Sequence, residues 1–99
     1  MPELNNAKFA FDNAIKLLND NNLKESVEQL NEIIKIEPNH IESLNLLGDI
    51  YIKLNKPKES LHFVNKVLNI EKFNKLNLEK KYQLLLFLGN EYSSHEPLE

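Results

Sequence analysis

A chain of 99 residues with 41% apolar and 27% charged content has room for one globular domain with a modest core, which argues against disorder. The formal net charge is −3 and all 12 basic residues are Lys, so nucleic-acid binding is not expected and bidentate guanidinium contacts are excluded. The absence of Cys excludes disulfides and thiol chemistry, and the longest apolar run, the five residues Leu84 to Leu88, is too short to cross a membrane.

Residues 1–6 read as an N-terminal tail. They lack the basic lead and apolar core of a secretory signal, so a cytoplasmic location is the expectation. From Ala7 to Leu18 the residues Ala7, Ala10, Phe11, Ala14, Ile15 and Leu18 line one helical face. Asp20, Asn21 and Asn22 interrupt it, since short polar side chains compete for backbone groups. A second helix carries Leu23, Val27, Leu30, Ile33 and Ile34 and is expected to end near Ile36, ahead of Pro38. A third carries Ile41, Leu44, Leu47, Gly48, Tyr51 and Ile52. Pro57 opens a fourth, with Leu61, Val64, Val67 and Leu68 on its apolar face. Connections of a few residues make these helices antiparallel neighbours, an all-α arrangement. A fifth helix is expected from about Leu78 to Tyr92, with a frayed, flexible tail over 93–99.

Sliding the chain by 34 residues superposes the first pair of helices on the second. Ala10, Ala14 and Leu17 fall on Leu44, Gly48 and Tyr51, while Ser26, Leu30 and Ile33 fall on Ser60, Val64 and Val67. Lys-Glu-Ser recurs outright at 24–26 and 58–60. Small residues at Ala14, Gly48, Ser26 and Ser60 suit close helix approach. This pattern resembles the tetratricopeptide repeat family, whose period is 34 residues, over 7–40 and 41–74. The second unit fits well; in the first, Ala10 and Asn13 stand at large positions. Lys72 replaces the late proline, so the fourth helix is expected to run on or bend gradually. Leu85, Leu88, Gly89 and Tyr92 match Leu44, Leu47, Gly48 and Tyr51 at an offset of 41, which implies about seven inserted residues and a partial third unit over 75–92 acting as a capping helix.

No catalytic signature emerges. Gly48 and Gly89 are the only glycines and lie in helical patterns, so no phosphate loop exists. His40 and His62 lack metal-ligand spacing, and Glu25, Glu28 and Glu32 read as a solvated face. Ser26, Ser43 and Ser60 belong to no visible triad. The expectation is a non-enzyme without cofactor or metal.

The family resemblance implies a concave surface, lined by the first helix of each unit, that takes an extended peptide or helix of a partner protein. The positions so implied are Lys8, Phe11 and Asn19 in the first unit and Glu42, Asn45, Asp49, Ile52 and Lys53 in the second; Ile15 and Leu18 fall there too but serve equally as core. Asn45 and Asp49 stand out as polar groove candidates. The chaperone-type carboxylate clamp of some relatives is absent, because Phe11, Ile15 and Leu46 replace its polar residues and no basic residue is expected at the third unit's groove positions. Asp49 would favour a ligand carrying Lys or Arg. Leu84 to Leu88 cannot all face inward at 3.6 residues per turn, so Leu86 and Phe87 are expected at an end face, open to a partner or a second copy. The alternative function is structural assembly: self-association through this C-terminal helix, or extension of a longer repeat array.

Overall fold

The computed structural model describes the backbone of residues 2–95 and the surroundings of side chains 7–89. Within that span lie five helices and no strand: α1 (Pro2–Asn19), α2 (Leu23–Ile36), α3 (Ile41–Lys53), α4 (Pro57–Ile70) and α5 (Lys75–His95). Each packs on the next in chain order, the antiparallel helix-turn-helix succession of a short solenoid.

Both hairpins turn in the same way. Asn21 and Asn55 adopt the left-handed conformation, with φ of 64° and 61°. Asn enters that region more easily than other non-Gly residues because its short polar side chain bonds locally. The amides of Asn22 and Lys56 then reach back to Leu17 O and Tyr51 O, at 2.8 Å each, closing the long-range bond of a Schellman turn.

The turns between hairpins also repeat, which corrects the expectation drawn from Lys72. α4 does not run on: it stops at Ile70, as α2 stops at Ile36. Glu37 and Glu71 leave the helix with nearly equal backbone angles, φ −127°, ψ 86° and φ −125°, ψ 88°. The amides of His40 and Asn74 bond to Glu37 O and Glu71 O at 3.1 Å, and each side chain then caps the following helix. His40 Nδ1 accepts from the Ser43 amide at 3.2 Å, and Asn74 Oδ1 accepts from the Asn77 amide at 3.0 Å. The cap does the work assigned to proline.

Asn74 as a cap also moves the start of α5 to Lys75 from the expected Leu78. The connection 71–74 has the length of 37–40, so no residues are inserted between hairpins; the additional length is helix, and a shift of seven residues, two turns, returns to the same face. At the other ends, 2–6 is helix instead of tail, Pro2 suiting a first helical position, and 93–95 continues α5. Met1 and the tail residues 96–99 lie outside the described residues.

The core runs along the stack through Ala14, Leu30, Ile33, Leu44, Leu47, Ile50 and Val67, all at most 1% exposed. Removing one such side chain from water stabilises by about 1.5–3 kcal/mol. A Cβ at Gly48 would stand at ordinary contact distance, 3.8 Å from Ser60 O and 3.9 Å from Phe63 Cβ, so the crossing admits a small residue there, as Ala14 is admitted in the first pair. Tyr51 and Phe63 stack beside it with ring centroids 5.6 Å apart.

Candidate functional site

α5 buries Asn77, Leu84 and Leu88, which recur at helical spacing on one face. At a shift of 34 residues Asn77 and Leu84 correspond to the buried Ser43 and Ile50 of α3. Leu85, expected to pack inward with Leu88, is instead 48% exposed. The reason is rotational: Leu84 and Leu88 lie on the buried face of α5, and Leu85 is about 100° around the helix from Leu84. The side chain of Tyr92, the fourth matched residue, lies outside the described residues.

Polar contacts tie α5 to α3. Asn77 Nδ2 donates to Asn45 Oδ1 at 3.0 Å, and Lys80 Nζ donates to Asp49 Oδ1 at 2.9 Å. Asn45 and Asp49 therefore have intramolecular partners. Beyond them, α3, the start of α4 and α5 enclose an open cavity of about 520 Å³. Ile52, Pro57, Leu84 and Phe87 give it apolar walls, with the Asp49–Lys80 pair, Lys53 and Gln83 among its polar lining. Ile52 on α3 and Phe87 on α5 both line it and are 49% and 48% exposed.

This cavity brings together Asp49, Ile52 and Lys53, expected in a groove, and Phe87, expected at an end face. Leu86 is exposed on another side of α5. Lys8 lies instead by a shallow depression on α1 with Phe9, Asp12, Asn13 and Lys16. Phe11 packs against the core, its ring 5.5 Å from that of His40. Glu42 is exposed, with its carboxylate 3.9 Å from His40 Nε2. Lys8, Phe11, Glu42 and Asn45 do not line the cavity.

Sequence reasoning missed Lys80, a basic residue on this surface. Reading α5 at an offset of 41 hid it, whereas Asn74 taken as a helix cap would have set the offset at 34. Its ammonium already neutralises Asp49, so the expected preference for a Lys- or Arg-bearing ligand loses its basis. Among the described residues no group of three or more His, Asp or Glu side chains is placed to hold a metal ion, and no helix is long and apolar enough to cross a membrane.

Compared with known families, residues 41–74 match the tetratricopeptide repeat. That span is α3, α4 and the turn that follows, one helix pair of the solenoid. None of the curated proteins matches the chain. The matched unit is therefore similar to a class of helix-pair repeats that characteristically serve as non-catalytic scaffolds and are generally associated with protein–protein interaction. The α1–α2 pair shares its turn geometry and its serine-to-carbonyl closure.

Proposed function

We propose that the chain is a protein-interaction module and that the cleft between α3 and α5 takes an apolar segment of a partner protein. The observation that carries this reading is the pair Ile52 and Phe87, one from α3 and one from α5, half-exposed in the lining of a cavity of about 520 Å³. Burying the exposed halves of these two side chains against a ligand supplies about 1.5–3 kcal/mol before the entropy of association is subtracted, so further contacts with the apolar walls must add to it. With Asp49 already paired, Lys53 is the remaining charge on the α3 wall, which favours a neutral or acidic flank on the ligand over a basic one.

A peptide-display selection against the 99-residue chain tests the proposal. Selected peptides are expected to carry one or two large apolar residues and to lose at least tenfold in affinity with Ile52→Asp or Phe87→Asp, while circular dichroism of the variants stays unchanged. Peptides that bind both variants as well as the parent would place recognition elsewhere and end this reading.

A further inference from the structure

The two turns between hairpins share one backbone and carry different side chains. After α2 the chain runs Glu37-Pro38-Asn39-His40, and after α4 it runs Glu71-Lys72-Phe73-Asn74. Each turn opens on a Glu that leaves its helix at nearly the same angles and closes on a side chain that caps the next helix. Asn39 is exposed at the third position of the first turn, so this geometry asks for no aromatic there. In the second turn that position holds Phe73, which is 89% exposed, more than any other large apolar side chain described. A ring so far in water contributes almost nothing to the core. Leu76, just beyond it, is 58% exposed and stands where Glu42 follows the first turn.

Charge separates the turns as well. Residues 66–75 hold three Lys and one Glu, a net of +2 in a chain of −3, whereas the equivalent residues 32–41 hold one Lys and two Glu. Lys72 and Lys75 flank Phe73, and among the described residues neither has an ion-pair partner. The Glu71 carboxylate is engaged by the cap, its Oε1 accepting from Asn74 Nδ2 at 2.8 Å.

We propose that the α4–α5 turn is a membrane-contact tip: Phe73 enters the surface of a lipid bilayer with anionic headgroups, and Lys72 and Lys75 bind those headgroups. A protruding ring needs an acceptor that yields around it, which a bilayer surface supplies without a preformed pocket. The basic flank sets the sign of the headgroups, and the long Lys stems let the amines stay among them while the ring sits deeper. One ring and two lysines make a shallow, reversible contact. A second copy is disfavoured as the acceptor by charge. The cleft beside Phe87 holds Lys53 and Lys80 against Asp49, and the depression on α1 holds Lys8 and Lys16 against Asp12, so both repel a lysine-flanked ring. The tip lies at the far end of α4 from Pro57, about 20 Å along the helix, so the cleft stays open and the proposal does not depend on it.

The chain has no Trp, so Phe73→Trp places a single fluorescent reporter at the tip and Asn39→Trp places one in the matching turn. Each 99-residue variant is mixed with vesicles of phosphatidylcholine alone, or of equal parts phosphatidylcholine and phosphatidylserine. With the anionic vesicles Phe73→Trp is expected to shift its emission saturably to shorter wavelength and to be quenched by brominated acyl chains. Asn39→Trp should do neither. In vesicle flotation, Phe73→Asn and the pair Lys72→Glu with Lys75→Glu should each lower partition into anionic vesicles about tenfold or more, equivalent to about 1.4 kcal/mol. Asn is what the first turn holds at this place, so Phe73→Asn should leave circular dichroism unchanged. Equal responses from both Trp variants, equal partition into neutral and anionic vesicles, or partition indifferent to Phe73→Asn would each overturn the proposal. Emission that ignores both kinds of vesicle would overturn it in favour of a pocket on a partner protein as the acceptor of the ring.

Discussion

The α3–α4 hairpin and α5 start from nearly the same ingredients and end differently. Both present a leucine, a second leucine three residues on and then a glycine, in Leu44-Leu47-Gly48 and Leu85-Leu88-Gly89. In the hairpin both leucines are buried and Gly48 faces Ser60; in α5 only Leu88 is buried, and Gly89 has no neighbour within 4 Å of where a Cβ would stand among the described residues. Sequence pattern alone therefore does not bury a face. A repeat motif states which surface a helix offers, and a covering helix decides whether that surface becomes core.

The sharpest way to break the comparison is one substitution made at both glycines. Gly48→Leu should cost at least about 1–3 kcal/mol, because the leucine branch beyond Cβ meets α4 where only ordinary contact distance remains for the first carbon. Gly89→Leu has no such neighbour among the described residues and replaces the poorer helix former, so it should be neutral or stabilising by up to about 1 kcal/mol. Urea denaturation of the two variants measures both. Equal destabilisation would mean that α5 is covered after all.

How much of this could be read beforehand follows the same division. The hairpin faces were legible because Ala14, Gly48, Ser26 and Ser60 mark close crossings by their size. The helix boundaries were less so: Asn74 looked like an interruption, yet it is the cap that starts α5, equivalent to His40. Mistaking the cap shifted the register of α5 by seven residues, which preserved its face but hid Lys80. The groove candidates were legible only where they lay on α3. Their partners Asn77 and Lys80 come from 32 and 31 residues away, and no local pattern announces such pairs.

The turns offer a test of the two hairpins against each other. Asn21 and Asn55 hold φ near 60° at equivalent points. Val at either position should destabilise by about 1–2 kcal/mol, since a β-branched side chain clashes in the left-handed region, while Gly should be tolerated. Similar losses for Asn21→Val and Asn55→Val in thermal melts would show that both hairpins depend on the same turn. A loss at Asn55 alone would mean that only the second unit is built as the family match describes.

The smallest effect belongs to the seam between α3 and α5, which is where the two regions meet. Its ion pair, Asp49 with Lys80, is 2.9 Å long, with side chains 54% and 26% exposed. Water screens a pair of that kind, so Lys80→Ala and Asp49→Ala should each change stability by no more than about 1 kcal/mol, and a double-mutant cycle should give a coupling of about 0.2–1 kcal/mol. The coupling should shrink in high salt, because the exposed carboxylate is within reach of counterions. Asn45→Ala is expected to cost more than either, because it strips a hydrogen-bond acceptor from Asn77, which is 1% exposed. That order, amide above ion pair, would show that α5 is located by its buried asparagine, with the charges adding only alignment at the cleft. A salt-insensitive coupling well above about 1 kcal/mol would reverse the order and make Asp49 and Lys80 the fastening of the trailing helix.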